Sequence, residues 1–476
     1  MASPAKPNTK VCRELFLWAA YDGNEGMVKE LLLLPGINPN IKDDISGRTP
    51  LMWAAVARQE GMVKLLLEQK DIDPNIPDTK YGQTPLMWAA INGHEGIAEC
   101  FLEREDVTPN TKENFHGLTA LGWAATRGHD RVAKLLLQRG DINPNIPDTR
   151  YGRTPLAWAA IFGYEETAKL LLEREDINPN DGESDYRKSP LWWAAAGGHE
   201  KVVKLLLDRE DVYPDIADTQ YGRTPIVWAA LGGHQGITNL LLEREGVNPN
   251  TKEIEHGRTP LGWAAFKGHE GVVKLLLERA DIDLNLVDTK CGRTPLGWAA
   301  MGEQGGIVKL LLAREDTNPN TLDTEWRFTP LLWAAWKGNK EVVKLLFERE
   351  DLNPNIQGPG GETALQMAVS RGHEEVAKLL TQLKGSVPTP EVSDVLEGPI
   401  PGRSGLLQRF ALPSAVPPVY FSPSEWLSPT TKALLPITIL SVIISVIVIC
   451  FFVSLALPLR AHSPSLPATP PLPASG

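Results

Sequence analysis

Tryptophan recurs at a fixed interval along most of this chain. Ten of its 14 tryptophans lie 35 residues apart, at Trp18, Trp53, Trp88, Trp123, Trp158, Trp193, Trp228, Trp263, Trp298 and Trp333. A large aromatic side chain at one constant spacing is typical of a repeat protein, in which each unit packs on its neighbours. The interval therefore predicts one stacked array, although a length of 476 residues would otherwise suggest about three ordinary domains.

Residues 153 to 187 indicate how one unit folds. Thr154 suits the N-cap of a short helix, Pro155 suits its first position, and Gly163 suits its end. A second helix is predicted from about residue 164 to residue 174, where three consecutive leucines form the apolar block. Residues 176 to 180 read Asp-Ile-Asn-Pro-Asn and begin a polar loop that reaches the next unit. Each unit is therefore predicted to be a helix, a turn, a helix and an extended loop.

These segments carry a family resemblance. Thr-Pro-Leu-x-x-Ala-Ala, then Gly-His, then Val-Val-Lys-Leu-Leu-Leu resembles the ankyrin repeat, and it covers residues 11 to 384 as eleven helix pairs. The Asn-Pro-Asn and Tyr-Gly-Arg-Thr-Pro segments make the chain most similar to the long ankyrin arrays of filamentous fungi. The resemblance implies an all-α solenoid of about eleven stacked helix pairs with loop fingers. It also implies that partner proteins bind the concave face, which the fingers and the first helices form.

The chain departs from the family pattern in three ways. The interval is 35 residues where the family's common period is 33, and the extra length falls in the loop finger. The tryptophan replaces the family's usual leucine, and the usual histidine after Thr-Pro-Leu is absent. The last unit, which begins at Thr363, lacks the tryptophan, as is expected of a terminal unit with a more polar outer face.

The repeated tryptophans have two interpretations. They could form a row of stacking platforms for a ligand, or they could fill the groove between successive helix pairs. A residue required identically in ten units fills identical space, so we predict a core role. Four tryptophans lie off the interval and are more informative about function, namely Trp192, Trp326, Trp336 and Trp426.

Recurrent polar residues suggest metal sites at first sight. Six histidines each follow a glycine at the turn into the second helix, at His94, His129, His199, His234, His269 and His373. A zinc protease motif needs a second histidine four residues later, and none of these positions holds one. The Asp-Ile-Asn-Pro-Asn segments resemble half a calcium loop, but Ile146 and Gly152 occupy the positions that require glycine and glutamate. We therefore predict no metal and no cofactor, and assign these residues to hydrogen bonding in turns and loops.

Charge and motifs exclude several functions. A formal charge of −11 and an isoelectric point near 5.5 argue against a nucleic-acid-binding protein. The phosphate-binding, dinucleotide-binding and serine-hydrolase motifs are absent, as are kinase and palmitoyltransferase signatures, so the chain is predicted not to be an enzyme. Four scattered cysteines give neither a disulfide framework nor a zinc site, which indicates a reducing compartment.

Partner-binding residues are predicted where the units differ from one another. The two residues after each Ala-Ala vary strongly, and several are large and apolar, at Ile161, Phe162 and Phe266. In the tenth unit Trp326 and Phe328 lie in the finger and Trp336 lies on the helix, a density of aromatics typical of binding hot spots. The alternative is that these aromatics pack finger against helix within the unit. Our hypothesis is a partner footprint around Trp326, Phe328 and Trp336.

The composition changes after residue 384. Residues 385–432 are rich in proline and serine and are predicted to be a flexible linker. Residues 433–459 contain no charged side chain and are predicted to be a single transmembrane helix, followed by a short disordered tail over residues 460–476. Residues 1–16 lack the apolar core of a signal peptide, so this organisation resembles that of a tail-anchored protein.

The charges around the predicted helix suggest an orientation. Three basic residues precede it closely and one follows it, which favours an array facing the cytosol. The helix is long and has few positive flanking charges, which favours the endoplasmic reticulum or a later secretory membrane over the mitochondrial outer membrane.

One short motif in the linker points to a second function. Pro417-Pro418-Val419-Tyr420 matches Pro-Pro-x-Tyr, a ligand for WW domains, and resembles the docking motif of membrane adaptors for ubiquitin ligases. The leading prediction is a membrane-tethered scaffold that binds proteins through its array. The alternative is an adaptor that presents array-bound cargo to a ubiquitin ligase through Pro417, Pro418 and Tyr420.

Overall fold

The computed structural model describes residues 9–384, which form 22 helices numbered in chain order. Their bounds are α1 Thr9–Asp22, α2 Glu25–Leu32, α3 Pro50–Val56, α4 Glu60–Leu67, α5 Pro85–Asn92, α6 Glu95–Leu102, α7 Ala120–Arg127, α8 Asp130–Leu137, α9 Pro155–Phe162, α10 Glu165–Leu172, α11 Pro190–Gly197, α12 Glu200–Leu207, α13 Pro225–Gly232, α14 Gln235–Leu242, α15 Pro260–Lys267, α16 Glu270–Leu277, α17 Pro295–Met301, α18 Gly305–Leu312, α19 Pro330–Lys337, α20 Lys340–Phe347, α21 Ala364–Arg371 and α22 Glu374–Lys384. The prediction of eleven helix pairs over the array is confirmed.

The odd-numbered helices begin and end on the residues that the sequence indicated. In α9 the hydroxyl of Thr154 accepts the backbone N–H of Ala157 at 3.2 Å, and Pro155 opens the helix. Gly163 ends it in the left-handed conformation, with φ of +71°. Helices of this length are marginal alone, so tertiary packing must supply most of their stability.

The even-numbered helices are amphipathic. In α12 the apolar residues Val202, Val203, Leu206 and Leu207 are buried, while Glu200 lies in the first turn and Lys204 in the last. This charge order complements the helix dipole. The predicted second helix at about 164 to 174 is observed as α10, Glu165–Leu172, because the chain turns into the loop two residues earlier.

The helices pack as two rows. Each odd-numbered helix packs on the next odd-numbered helix, and each even-numbered helix packs likewise on the next, so every pair contacts the pairs beside it. The two alanines that follow each repeated tryptophan are fully buried, as at Ala159 and Ala160, and their small side chains let successive inner helices approach closely. We call the odd-numbered row the inner helices and the even-numbered row the outer helices.

The loops between units are joined by an asparagine ladder. The side chain of Asn145 donates to the carbonyl of Asp176 at 2.6 Å and accepts the backbone N–H of Asn178 at 2.8 Å. The same pair of bonds recurs at Asn75, Asn110, Asn180, Asn250, Asn285 and Asn320. The predicted role of these residues in satisfying loop backbone groups is confirmed.

Several predictions concern residues outside the described range. They are the linker at 385–432 with Pro417, Pro418 and Tyr420, the span at 433–459, the tail at 460–476, and Trp426. Within residues 9–384 none of the helices is long and apolar enough to cross a bilayer.

Candidate partner-binding surface

A carboxylate recurs in the fingers at the tryptophan interval and is buried in most of them. Asp148 accepts the backbone N–H groups of Arg150, Tyr151 and Arg153 at 2.9, 2.6 and 3.2 Å, which fixes the tight turn of the finger. Equivalent acids are Asp43, Asp78, Glu113, Glu183, Asp218, Glu253, Asp288 and Asp323. Sequence reasoning missed this ladder because it treated the finger as an undifferentiated loop, although the 35-residue spacing of the acids is visible in the sequence.

The carboxylate also holds the repeated tryptophan. The indole N–H of Trp158 donates to Asp148 at 3.0 Å, and equivalent bonds of 2.7 to 3.3 Å join Trp53, Trp88, Trp298 and Trp333 to their acids. In the Glu113 unit both carboxylate oxygens bind finger backbone N–H groups instead, and the indole nitrogen of Trp123 is buried without a hydrogen-bond partner. The longer glutamate side chain therefore accepts hydrogen bonds from the finger backbone and makes none with the indole.

Arginine side chains lie between successive tryptophans. The guanidinium of Arg258 lies 4.5 Å from the ring of Trp263 and 4.1 Å from that of Trp298, one unit further on. Arg48, Arg153, Arg223 and Arg293 bridge their neighbouring units in the same way. Cation–π contacts of this kind contribute about 1 kcal/mol or more when partly desolvated. The chain's own cations thus occupy the ring faces that a stacked ligand would need.

Burial has electrostatic consequences for this ladder. It lowers the pKa of the Arg258 guanidinium, and the nearby Asp288 carboxylate opposes that effect. Arg293 lies 3.3 Å from Asp323, and both side chains are almost fully buried. Removing one member of such a pair is costly because it leaves a buried charge uncompensated. The predicted core role of the tryptophans is confirmed from Trp193 to Trp333, which are at most 5% exposed, whereas Trp53, Trp88, Trp123 and Trp158 are half-buried and Trp18 is 40% exposed.

The turn histidines have a structural role. The ring Nε2 of His129 lies 3.1 Å from the carbonyl oxygen of Ile91, and His199, His269 and His373 make equivalent contacts at 3.0 to 3.1 Å. Each ring also lies against the glycine that ends the previous inner helix, as His129 does at Gly93. The prediction of hydrogen bonding at the turn is confirmed for these four residues.

Glu253, Glu255 and His256 lie close enough together to hold a metal ion. Glu253 is the finger acid of its unit, however, and accepts the backbone N–H groups of Glu255, His256 and Arg258. Glu255 is engaged by Arg223 at 2.9 Å. These contacts give the cluster a structural role in its finger.

The predicted partner-binding residues lie at the ends of the inner helices and in the finger. Ile161, Phe266, Trp326 and Trp336 are partly exposed, and Phe162 is 37% exposed. Phe162, Phe266 and Trp336 each cover a repeated tryptophan: Phe162 stacks on Trp158 at 5.9 Å, and Trp336 packs edge-on against Trp333 at 5.7 Å. We call the exposed ends of the inner helices and the finger tips the inner face.

Phe328 requires a correction. It is 3% exposed and packs 5.0 Å from Trp333, so it cannot be part of a contact surface. The reason is register, because residue 328 lies 35 residues after Arg293 and takes the place of the buried arginine. Trp192 is also interior, at 2% exposed, and its indole N–H donates to Asp218 of the next unit at 3.1 Å.

The chain was compared with known proteins. The family model for ankyrin repeats (three copies) matches it in overlapping stretches at residues 16–113, 97–181, 178–253, 213–288, 237–323, 281–358 and 302–390. The chain belongs to the ankyrin repeat family. Its units are therefore ankyrin repeats with a tryptophan–carboxylate–arginine ladder added to the finger. No curated protein matches the chain.

Ankyrin repeats imply a role in protein–protein interaction, and the family is typically non-enzymatic. The inner face is where the repeats of this array differ from one another, while the ladder beneath it is nearly constant. The ladder therefore provides a rigid support, and the variable residues above it are free to meet a partner.

Proposed function

We propose that the chain is a scaffold that binds partner proteins on the concave face of its ankyrin array and is tethered to a membrane through residues 433–459. The observation that carries the binding role is the contrast between a nearly invariant interior and a variable inner face. Packing requires particular residues in the interior, whereas it allows many different residues on the inner face. Trp326 and Trp336 are the strongest contact residues, because both are large, aromatic and partly exposed.

Double substitution of these tryptophans tests the binding role. Trp326→Ala with Trp336→Ala removes the aromatic anchors and leaves Phe328 and the interior in place. We expect the folded variant to lose the proteins that the native chain crosslinks in cells. Tyr213→Ala is the matched control, because Tyr213 is 63% exposed but lies in a loop of the asparagine ladder. Retention of the same partners by the double variant would refute this footprint.

The tether is supported by sequence alone. Residues 433–459 contain no charged side chain, and as a helix this segment spans about 40 Å, enough for a hydrocarbon core of about 30 Å. Arg403, Arg409 and Lys432 precede it and Arg460 follows it, which orients the array toward the cytosol. We place it in the endoplasmic reticulum or a later secretory membrane.

Fractionation tests the tether directly. The native chain is expected to stay in the membrane pellet after alkaline carbonate extraction, and a chain lacking residues 433–459 is expected in the supernatant. Release of the native chain by carbonate would contradict the tether while leaving the binding role intact. Imaging of the intact chain against organelle markers then tests the choice of membrane.

A second candidate function rests on the motif at Pro417, Pro418 and Tyr420. In that case the chain is an adaptor that delivers array-bound cargo to a WW-domain ubiquitin ligase. Tyr420→Ala removes the motif's aromatic ring and leaves the array unchanged. Lower ubiquitination of crosslinked partners in this variant favours the adaptor, and unchanged ubiquitination favours the simple scaffold.

A further inference from the structure

Four exposed basic side chains lie on the inner face of the last four repeats. Lys267, Lys337 and Arg371 are the final residues of α15, α19 and α21, and Arg327 lies in the finger beside Trp326. Among residues 9–384 no carboxylate lies within ion-pair distance of any of the four. The repeats place Lys267 and Lys337 at equivalent positions two units apart, so the charges follow one side of the array.

The helix dipole does not account for this set. A basic residue in the last turn of a helix is favourable, and α7 also ends in one, Arg127, but α9, α11 and α13 end in Phe162, Gly197 and Gly232 without one. Arg327 is not at a helix end at all. The charges are therefore a property of particular repeats and not a requirement of the fold.

Arg327 is retained despite a backbone cost. Its φ is +52°, in the left-handed region, where the preceding unit has Gly292 with φ of +64°. A non-glycine side chain in this conformation is strained relative to glycine. Strained residues of this kind cluster at binding and switch sites. An exposed arginine at this cost, next to a partly exposed tryptophan, therefore points to a contact that the interior does not supply.

The basic groups flank aromatic rings. Arg371 lies 4.7 Å and Lys337 lies 5.4 Å from the ring of Trp336, and Lys267 lies 5.5 Å from the ring of Phe266. Burial lowers the pKa of Lys267, and Arg258 lowers it further, so this ammonium already lies in positive surroundings. A surface of this kind offers apolar contact and positive charge at the same points.

Three acidic side chains share this region of the array. Glu325 is exposed but lies 3.7 Å from the buried guanidinium of Arg293, which offsets much of its charge. Glu303 is exposed at the turn after α17, and the partly exposed Glu362 lies near Arg371 and opposes the lowering of its pKa by burial. Four basic groups against these three leave the region slightly positive, in a chain whose formal charge is −11.

We propose that the inner face of the last four repeats binds an acidic segment of a partner protein, with its carboxylates at Lys267, Arg327, Lys337 and Arg371 and its apolar side chains on Phe266 and Trp336. The proposal rests on the scaffold function and specifies the chemistry of the partner. Repulsion by the acidic remainder of the array directs such a segment to this region, since complementary charge fixes where a partner docks.

A designed peptide pair tests the charge preference. Stacked repeats lie about 10 Å apart, so four repeats span roughly 30 Å, which an extended segment of about ten residues covers. The probes are fluorescent peptides of this length, one alternating Glu with Leu and the other alternating Lys with Leu. We expect the purified full chain, in a non-ionic detergent, to bind the Glu–Leu peptide at least about tenfold more tightly, and to lose affinity as salt rises.

Charge reversal at the four sites tests the location. One variant combines Lys267→Glu, Arg327→Glu, Lys337→Glu and Arg371→Glu. Its affinity for the Glu–Leu peptide is expected to fall by more than about tenfold. The control reverses four exposed lysines of outer helices, at Lys134, Lys169, Lys309 and Lys344, and changes the net charge by the same amount. The control is expected to bind within about twofold of the native chain. Circular dichroism confirms that both variants remain helical.

Three outcomes would overturn the proposal: absent binding of the Glu–Leu peptide, equal binding of both peptides, or equal loss in the variant and its control. These outcomes differ from failure of the scaffold function. If Trp326→Ala with Trp336→Ala still abolishes crosslinking of cellular partners, the inner face binds proteins and only the acidic chemistry is wrong. If that double variant retains all partners, the scaffold footprint itself is wrong.

Discussion

Asp215 lies in the asparagine ladder, at a position where the other units of that ladder have asparagine. One carboxylate oxygen accepts the backbone N–H of Asn248 at 3.4 Å, and the other is buried without a hydrogen-bond partner. An asparagine here would present an N–H group toward the backbone of the next loop, as Asn180 does to the carbonyl of Asp211 at 2.7 Å. Burial accordingly raises the pKa of Asp215 to about 6, and the Asn248 N–H opposes this only in part.

Charged groups around Asp215 are otherwise engaged. In the same loop Arg209 is paired with Asp211 at 2.7 Å, and in the following loop Arg244 donates to the carbonyl of Arg209 at 3.3 Å. The raised pKa therefore reflects burial of the carboxyl group and not repulsion by a neighbouring acid.

The first prediction concerns pH and Asp215→Asn. Because the folded pKa is raised from 3.8 to about 6, the contribution of Asp215 to stability is complete below pH 3.8 and is lost as pH rises through 6. The full shift corresponds to about 3 kcal/mol, which partial solvent exposure reduces to about 1 kcal/mol. We expect Asp215→Asn to raise the free energy of unfolding by this amount at pH 7.5 and to have no benefit at pH 3.5.

Urea unfolding of the array at several pH values measures this effect. Asn180→Asp is the matched control, because it introduces an acid at the adjacent position of the asparagine ladder. It is expected to destabilise the array at pH 7.5 and to recover as pH falls below 6. An Asp215→Asn benefit that is the same at pH 3.5 and pH 7.5 would show that ionisation is not the cause.

A second prediction at the residue scale concerns backbone strain. Arg327 and Arg187 both lie in the left-handed region in their fingers, with φ of +52° and +53°. We expect Arg327→Gly and Arg187→Gly each to raise the free energy of unfolding by about 1 kcal/mol, because glycine adopts this conformation without strain. Thermal and urea unfolding measure the gain.

The same pair separates stability from binding. Only Arg327 belongs to the surface proposed to bind an acidic segment. Arg327→Gly is therefore expected to lower the affinity for the Glu–Leu peptide several-fold, and Arg187→Gly to leave that affinity unchanged. Equal peptide affinity in both variants would mean that the strained Arg327 has no part in recognition.

At the scale of one element, the finger explains why an aspartate and a glutamate are not equivalent. Asp148 binds both the finger backbone and the indole of Trp158, whereas Glu113 binds the backbone alone. His116 fills the space beside the latter indole, with its ring 5.8 Å from that of Trp123. In these two units the longer glutamate side chain leaves the inner helix without the charge-assisted hydrogen bond that ties it to the finger.

The third prediction compares Trp158→Phe with Trp123→Phe. Both replacements remove similar aromatic area, but only the first removes a hydrogen bond to a buried carboxylate. We expect Trp158→Phe to cost about 1–2 kcal/mol more in the free energy of unfolding, because the acid loses a donor. Amide hydrogen exchange in residues 148–153 is expected to accelerate in that variant and to change little at residues 113–118 in the other.

If both variants show the same loss of stability, the indole–carboxylate bond contributes nothing net. Asp148→Asn provides an independent check, because it removes the charge and replaces one of the two acceptor oxygens with an N–H donor. It is expected to cost at least as much as Trp158→Phe, because either the finger N–H groups or the indole N–H then lose their acceptor.

At the scale of the whole array, each repeat contacts only its neighbours, so stability is transmitted along a line. Trp18, in the first repeat, is 40% exposed, whereas Trp333, which has a repeat on each side, is 3% exposed in the same motif. Arg258, held between Trp263 and Trp298, shows how one unit depends on the next for half of its contacts.

The fourth prediction is therefore that damage in the middle divides the array. Trp263→Ala is expected to cost about 3–5 kcal/mol locally and to split one cooperative urea transition into two. Trp18→Ala, at the exposed end, is expected to keep a single transition and to cost less than about 2 kcal/mol. Hydrogen exchange resolved by repeat identifies which side unfolds first, and a single transition for Trp263→Ala would contradict nearest-neighbour coupling.

Local features of the sequence are sufficient to predict the array of stacked helix pairs. The 35-residue interval, the Thr-Pro starts and the glycine ends are local features, and short-range sterics and hydrogen bonds convert them directly into helix pairs, as in α9. The variable residues after each Ala-Ala also identified the inner face, because variation within one chain marks positions that packing leaves free.

Contacts between neighbouring repeats determine which aromatic and basic side chains are buried. Trp336 is partly exposed and Phe328 is buried, although both were predicted as contacts from the same composition. Arg258 is interior while Arg327 is exposed. The reason is that burial depends on residues about 35 positions away in the next repeat, and the preferences of a single segment carry no information about that neighbour.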